Sequence, residues 1–197
     1  MTQTLSSARG TAAVVIRGYR PADHGACRRL WAELTTEHRH RYPGAQPVPS
    51  AAPATVDELG AAAIPSDSTG GAGFEEYLTR LDLSGMWVAQ HASAGVVGFI
   101  GLILRGRAGS VDPVVVTADR RGQGIGRALL GYVGEQARRR GMRELAISPA
   151  LRNVEAVRCL YRAGFDAAAT VTLALDLSGR EGQWRDGVDL HGVRFRY

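Results

Sequence analysis

The stretch from Val111 to Phe165 restricts the fold more than any other part of this chain. A Val-rich run, VDPVVV, leads into Arg121-Gly122-Gln123-Gly124-Ile125-Gly126-Arg127. A helical period then gathers Ile125, Leu129, Leu130, Val133 and Ala137 on one side. The order that follows is a strand at 111–117, a helix over 123–140, a strand at 143–148 and a helix at 153–163. Strands separated by helices pair in parallel, because a parallel neighbour needs a long crossover that a tight hairpin cannot supply.

The first half reads differently. Residues 12–18 form a strand, and Cys27, Leu30, Trp31 and Leu34 give the next segment one apolar helical face, opened near Pro21 or Asp23. From 43 to 73 the chain fills with Pro, Ala, Ser and Gly, which predicts a flexible insert loop with a short helix at 55–63; helical spacing resumes from Phe74 to Leu81. The runs 86–91 and 96–104, joined across Ser93 to Gly95, form a hairpin, and strands are expected at 169–177 and 188–196. Hairpins beside crossovers imply an α/β fold with a mixed, mostly antiparallel sheet. At 197 residues one core is expected, so residues 1–197 are read as a single domain.

Glycines at alternate positions before a helix let a ligand approach the backbone, and the helix start presents free N–H groups and a positive dipole end. That combination seats a diphosphate, although a glycine-rich turn also occurs for chain reversal alone. The spacing is GxGxG rather than GxGxxG, and no acidic residue ends the following strand, so a dinucleotide site is the lesser reading. The net charge of +5 comes entirely from Arg, since the chain holds no Lys. A Walker A loop and a Schiff-base lysine are thereby excluded. The Arg residues cluster at 120–143 without interleaved aromatics, which fits a polyanionic small molecule better than a nucleic-acid strand. Cys27 and Cys159 lack metal-site or disulfide spacing and read as small hydrophobes; no metal is expected. No apolar run reaches the roughly 18–20 residues of a membrane span and the start has no signal-peptide layout, so the expected compartment is the cytoplasm.

Two segments at matching distance resemble the GNAT superfamily of acetyltransferases. Arg121-Gly122-Gln123-Gly124-Ile125-Gly126 falls on that family's (Arg/Gln)-x-x-Gly-x-(Gly/Ala) turn. In Asn153-Val-Glu-Ala-Val-Arg-Cys-Leu-Tyr161-Arg-Ala-Gly164-Phe165, the residues Asn153, Ala156, Gly164 and Phe165 fall on its N-x-x-A-x-x-x-Y-x-x-x-G-F helix, with Leu160 at the pattern's Tyr and Tyr161 one residue beyond it. Ala118 stands where the family often has Pro. The resemblance implies a GNAT-type twisted sheet with splayed parallel strands and helices on both faces. It also implies acetyl-coenzyme A as acyl donor, with pantetheine held by backbone groups of Val114, Val115 and Val116 and the diphosphate by Gly122, Gln123, Gly124, Ile125 and Gly126, flanked by Arg121 and Arg127.

Individual residues carry two readings each. Asn153 is a good helix N-cap, and the resemblance places it near the pantetheine arm. Gly141 and Gly164 read as helix ends, and Arg138, Arg139 and Arg140 as a solvated last turn. Tyr161 is either a half-buried helix aromatic or, as the resemblance implies, the acid that protonates the departing thiolate. Asp112, two and four residues before Val114 and Val116, shares their face by strand alternation and is a candidate general base; the alternative is an Asp that opens the strand by a turn hydrogen bond. Pro113 favours a bulge that aims Asp112 out of the pleat.

Together these imply an N-acetyltransferase acting by direct transfer from acetyl-coenzyme A to a primary amine. The rivals are a non-catalytic acyl-coenzyme A module and an Arg-rich nucleic-acid binder. The preferred reading includes neither nucleic acid nor a membrane as partner and admits a homodimer. Acceptor-pocket candidates are His38, His40, Tyr42, Asp186, Asp189 and His191, each also readable as surface.

Overall fold

The structure, a computed structural model, describes residues 3–5, 14–41, 72–81, 85–171 and 186–196. Six strands form one sheet in sequence order: β1 Gln3–Leu5, β2 Val14–Gly18, β3 Met86–His91, β4 Gly95–Arg105, β5 Ala108–Val116 and β6 Glu144–Ala146. Neighbours from β1 to β5 pair antiparallel, and β5 pairs with β6 in parallel. The helices are α1 His24–Arg41, α2 Ala72–Arg80, α3 Ile125–Arg139 and α4 Val154–Arg162.

Strand alternation divides the core into two layers. Trp87, Ala89, Ile100, Leu102 and Val111 meet Ile125, Leu129 and Val133 of α3 and Leu160 of α4. On the other face Met86, Val88, Phe99 and Val115 meet Cys27, Leu30 and Trp31 of α1 and Phe74 and Tyr77 of α2. Helices therefore cover both faces of a mixed sheet, as the sequence implied.

An ion pair pins the entry to α1. Asp23, 6% exposed, accepts from both terminal nitrogens of Arg17 at 2.7 and 2.8 Å and from the Arg20 N–H at 2.9 Å. The far ends of α3 and α4 close as predicted. Gly141 N–H donates to Arg138 C=O and Met142 N–H to Ala137 C=O; Gly164 and Phe165 repeat the pattern on Tyr161 and Leu160.

Some boundaries differ from the sequence reading. The strand expected at 143–148 shortens to Glu144–Ala146. The one expected at 188–196 is two strands, β7 Asp186–Leu190 and β8 Val193–Arg196, paired antiparallel apart from the main sheet. The run of period-2 residues hides a turn at His191 and Gly192, both at positive φ. Of the strand expected at 169–177, residues 169–171 carry no strand and the rest lie outside the described residues. The helix at 55–63 and nearly all of 43–73 also lie outside them, and α2 begins at Ala72.

Candidate active site

The site begins where two parallel strands part. β5 and β6 pair only through Ala108↔Glu144, Gly109↔Leu145 and Ser110↔Ala146, while β5 runs on to Val116. Residues 147–150 leave strand geometry, and Pro149 among them has no N–H to donate. The edge of β5 from Val111 to Val116 therefore faces a gap. The Thr117 N–H donates to Val97 C=O on the β4 side at 2.9 Å, so the Val116 C=O of the same peptide plane points into the gap. Extended residues direct N–H and C=O to one side alternately, so Val114 presents both groups to the gap and Val116 its N–H, the Val116 C=O accepting from Arg121 Nε, while Val115 serves β4.

Beyond β5 a 3-10 turn, Ala118–Arg120, leads to α3. Gly124 is the N-cap at φ 83°, with no side-chain cap and no acidic residue in the first turn. The first helical bond runs from the Ala128 N–H to the Gly124 C=O, so the N–H groups of Ile125, Gly126 and Arg127 have no helical acceptor. No atom lies within 4 Å of where a Cβ on Gly122 or Gly124 would stand. Arg127 is exposed, and Ile125 sends its side chain into the core, leaving its backbone to the turn. Open space, uncapped N–H groups and the helix dipole together fit a diphosphate, and the gap beside β5 fits an extended pantetheine arm.

Arg121 is occupied elsewhere. Its terminal nitrogens bond both carboxylate oxygens of Glu37 on α1 at 2.8 and 2.7 Å, and its Nε donates to Val116 C=O at 3.0 Å. That hydrogen-bonded pairing raises the Arg121 pKa above the ordinary guanidinium value, with Glu33 and Glu155 adding to the negative field. Its side chain braces α1 against the end of β5 rather than flanking the turn.

Asp112 sits in a bulge. Ile100 pairs with Val114 and Leu102 with Val111, so Asp112 and Pro113 together oppose Gly101. Val111 and Val114 therefore share the α3 face although three residues apart. The expectation that Asp112 shares a face with Val114 and Val116 is corrected here: its charge acts on Tyr77, which belongs to the α1/α2 face. The extra residue that Pro113 brings to the strand breaks the alternation.

On α4, Asn153 accepts from the Ala156 N–H at 3.2 Å and is the N-cap. Tyr161 is 67% exposed while its neighbour Leu160 is buried, so the phenol is no core aromatic. Arg138 and Arg139 pair with Glu135, and Arg140 lies over the Trp87 ring. Of the acceptor candidates, His38 is half-buried and its pKa is lowered by that burial, His40 is exposed, and Asp189 pairs with Arg194 at 3.0 Å. His191 turns the C-terminal hairpin, and Tyr42 lies outside the described residues. Burial pushes the Cys27 thiol up to about 12, away from nucleophilic use. Among the described residues no cluster could hold a metal ion, and no helix is long and apolar enough to cross a membrane.

Sequence reasoning missed Glu33, Glu37 and Tyr77. The i,i+4 spacing of the two glutamates marks one helix face, but only the folded chain shows that this face meets Arg121.

Residues 82–167 match the family model of an acetyltransferase (GNAT) domain. Solved structures agree in fold. A transcriptional regulator from Bacillus halodurans is 19% identical with TM-score 0.56, covering 83% of this chain and 99% of its own. An acetyltransferase from Trypanosoma brucei is 21% identical with TM-score 0.54, covering 83% and 99%. A diaminobutyrate acetyltransferase from Paenibacillus lautus, solved with L-2,4-diaminobutyric acid and coenzyme A, is 16% identical with TM-score 0.51, covering 79% and 76%. No curated protein matches. Residues 82–167 are thus similar to a GNAT acetyltransferase domain, and the solved structures share the fold over most of the chain.

Proposed function

We propose that this chain is a single-domain N-acetyltransferase that passes an acetyl group from acetyl-coenzyme A directly to a primary amine. The observation that carries the reading is the gap beside β5, which opens after three paired residues and ends at the uncapped start of α3. Acetyl-coenzyme A supplies an activated acyl carbon and a thiolate leaving group. Val114 and Val116 hold the pantetheine arm as a further strand would. The N–H groups between Gly122 and Arg127 hold the diphosphate. Arg127 adds charge from solvent, whereas Arg121 supports the site through Glu37.

Asp112 draws in the acceptor ammonium and takes its proton, because an alkylamine with pKa near 10.4 is almost wholly protonated at neutral pH. The freed nitrogen forms its bond to the acyl carbon while the Val116 N–H meets the charge growing on the carbonyl oxygen. The carbon–sulfur bond then breaks, Tyr161 gives the sulfur its proton, and the second proton of the attacking nitrogen leaves as the amide forms and restores the phenol. No covalent enzyme intermediate is required.

The test is thiol release from acetyl-coenzyme A with L-2,4-diaminobutyrate, an aminoglycoside, a polyamine and a peptide N-terminus as acceptors. Release that depends on one of these amines supports the reading. Tight acetyl-coenzyme A binding without release to any amine replaces it with a non-catalytic acyl-coenzyme A module.

A further inference from the structure

Tyr77 is 1% exposed on α2, stacked 4.9 Å from Trp31 and 6.1 Å from Phe74. Its ring belongs to the aromatic cluster, but its hydroxyl reaches the sheet at the bulge. A methyl on Gly101 would land on that hydroxyl and 2.6 Å from the Asp112 carbonyl oxygen. The Tyr77 hydroxyl is also the one buried side-chain polar atom without a hydrogen-bond partner among the described residues. Leaving such a group unpaired is costly, and Phe would fill the same space without that cost. Packing alone therefore gives no reason for an oxygen at this place.

What lies next to it does. Burial, and then the negative charge of Asp112, hold the phenol well above its ordinary pKa, while Arg80 opposes and Cys27 adds slightly. The group stays a proton donor throughout the neutral and mildly alkaline range, at the bulge that carries Asp112.

We propose that Tyr77 is a positioning residue: when the acceptor amine binds, its O–H donates to the Asp112 carboxylate, fixing that side chain at the bulge and favouring its ionised form. This rests on the reading of Asp112 as the base. A donor to the charged form lowers a carboxylate's pKa, so its removal moves the acidic limb of the rate profile to higher pH.

The experiment compares Tyr77→Phe, Asp112→Asn and the double variant, using the fastest amine of the panel named above. Tyr77→Phe is expected to unfold at the same or a higher temperature and to bind acetyl-coenzyme A unchanged. Its kcat/KM falls about 10-fold, with the acidic limb displaced upward by about half a pH unit or more. The double variant loses no more than Asp112→Asn alone, because the hydroxyl acts through that carboxylate. An unchanged profile for Tyr77→Phe, or losses that multiply in the double variant, overturns the proposal and leaves the base in place. An unchanged Asp112→Asn overturns both.

Discussion

The two faces of the sheet do different work with different parts of the chain. On the α3 face the candidate ligand contacts are made by backbone: the Val114 and Val116 edge, and the N–H groups after Gly124. On the α1/α2 face the polar groups are side chains: Glu37 on Arg121 and Tyr77 beside Asp112, each pair brought from far apart in sequence, and Asp23 on Arg17 six residues before it. A backbone site needs space and the right φ, so it tolerates many residues and fails when a Cβ intrudes. A side-chain site needs one particular atom and fails when that atom is removed.

The largest expected effect tests the backbone side. Gly124→Val puts a branched side chain into open space at a φ of 83°, where the diphosphate is expected. Calorimetry should show acetyl-coenzyme A binding lost, with the far-ultraviolet dichroism kept. Parent-like affinity would reduce the turn to a chain reversal. Next in size is Asp112→Asn, expected to lower kcat/KM at neutral pH by about 10²-fold or more, with recovery as pH approaches the amine's own pKa near 10.4. A small loss, uniform across pH, would move the search for the base to another carboxylate or His. Tyr161→Phe should lower kcat by about 10²-fold with acetyl-coenzyme A affinity kept. Equal turnover would take the phenol out of the chemistry.

The smaller effects concern how the α1 side is held. The hydrogen bonds from Arg17 hold the Asp23 carboxyl below its ordinary value, with burial opposing in part. A lowered folded-state pKa means the contribution is full above the unfolded value near 3.8 and is lost as pH falls through the folded one. Asp23→Asn should thus cost about 3 kcal/mol in urea unfolding at pH 7, and the gap from the parent should close in acid. Glu37→Gln, at a half-exposed pair, should cost under about 1 kcal/mol and weaken acetyl-coenzyme A binding only a few-fold. A large loss there would make the Arg121 brace part of the binding site itself.

The same contrast explains what could be read from the sequence. The alternate glycines, the Val-rich strand, and Gly141 and Gly164 at the helix ends announce themselves because each answers a local backbone demand. Asn153 as N-cap is equally local. The side of the sheet to which Asp112 turns is not, because it depends on one inserted residue opposite Gly101. The partner of Arg121 lies 84 residues away on α1, and no spacing rule joins them. Tyr77 reads as one more aromatic in a helical stripe. Its meaning comes from the strand that its hydroxyl touches.

The half-open strand β5 also has a consequence in time. Along one short run of valines, hydrogen-bonded and gap-facing amides alternate residue by residue. In the free protein the Val115 and Thr117 amides should exchange with deuterium slowly, at rates set by opening of the sheet, while those of Val114 and Val116 exchange much faster. An added strand-like ligand would slow the fast pair and leave the slow pair alone, so one strand would carry both the clock of the fold and the clock of its occupancy.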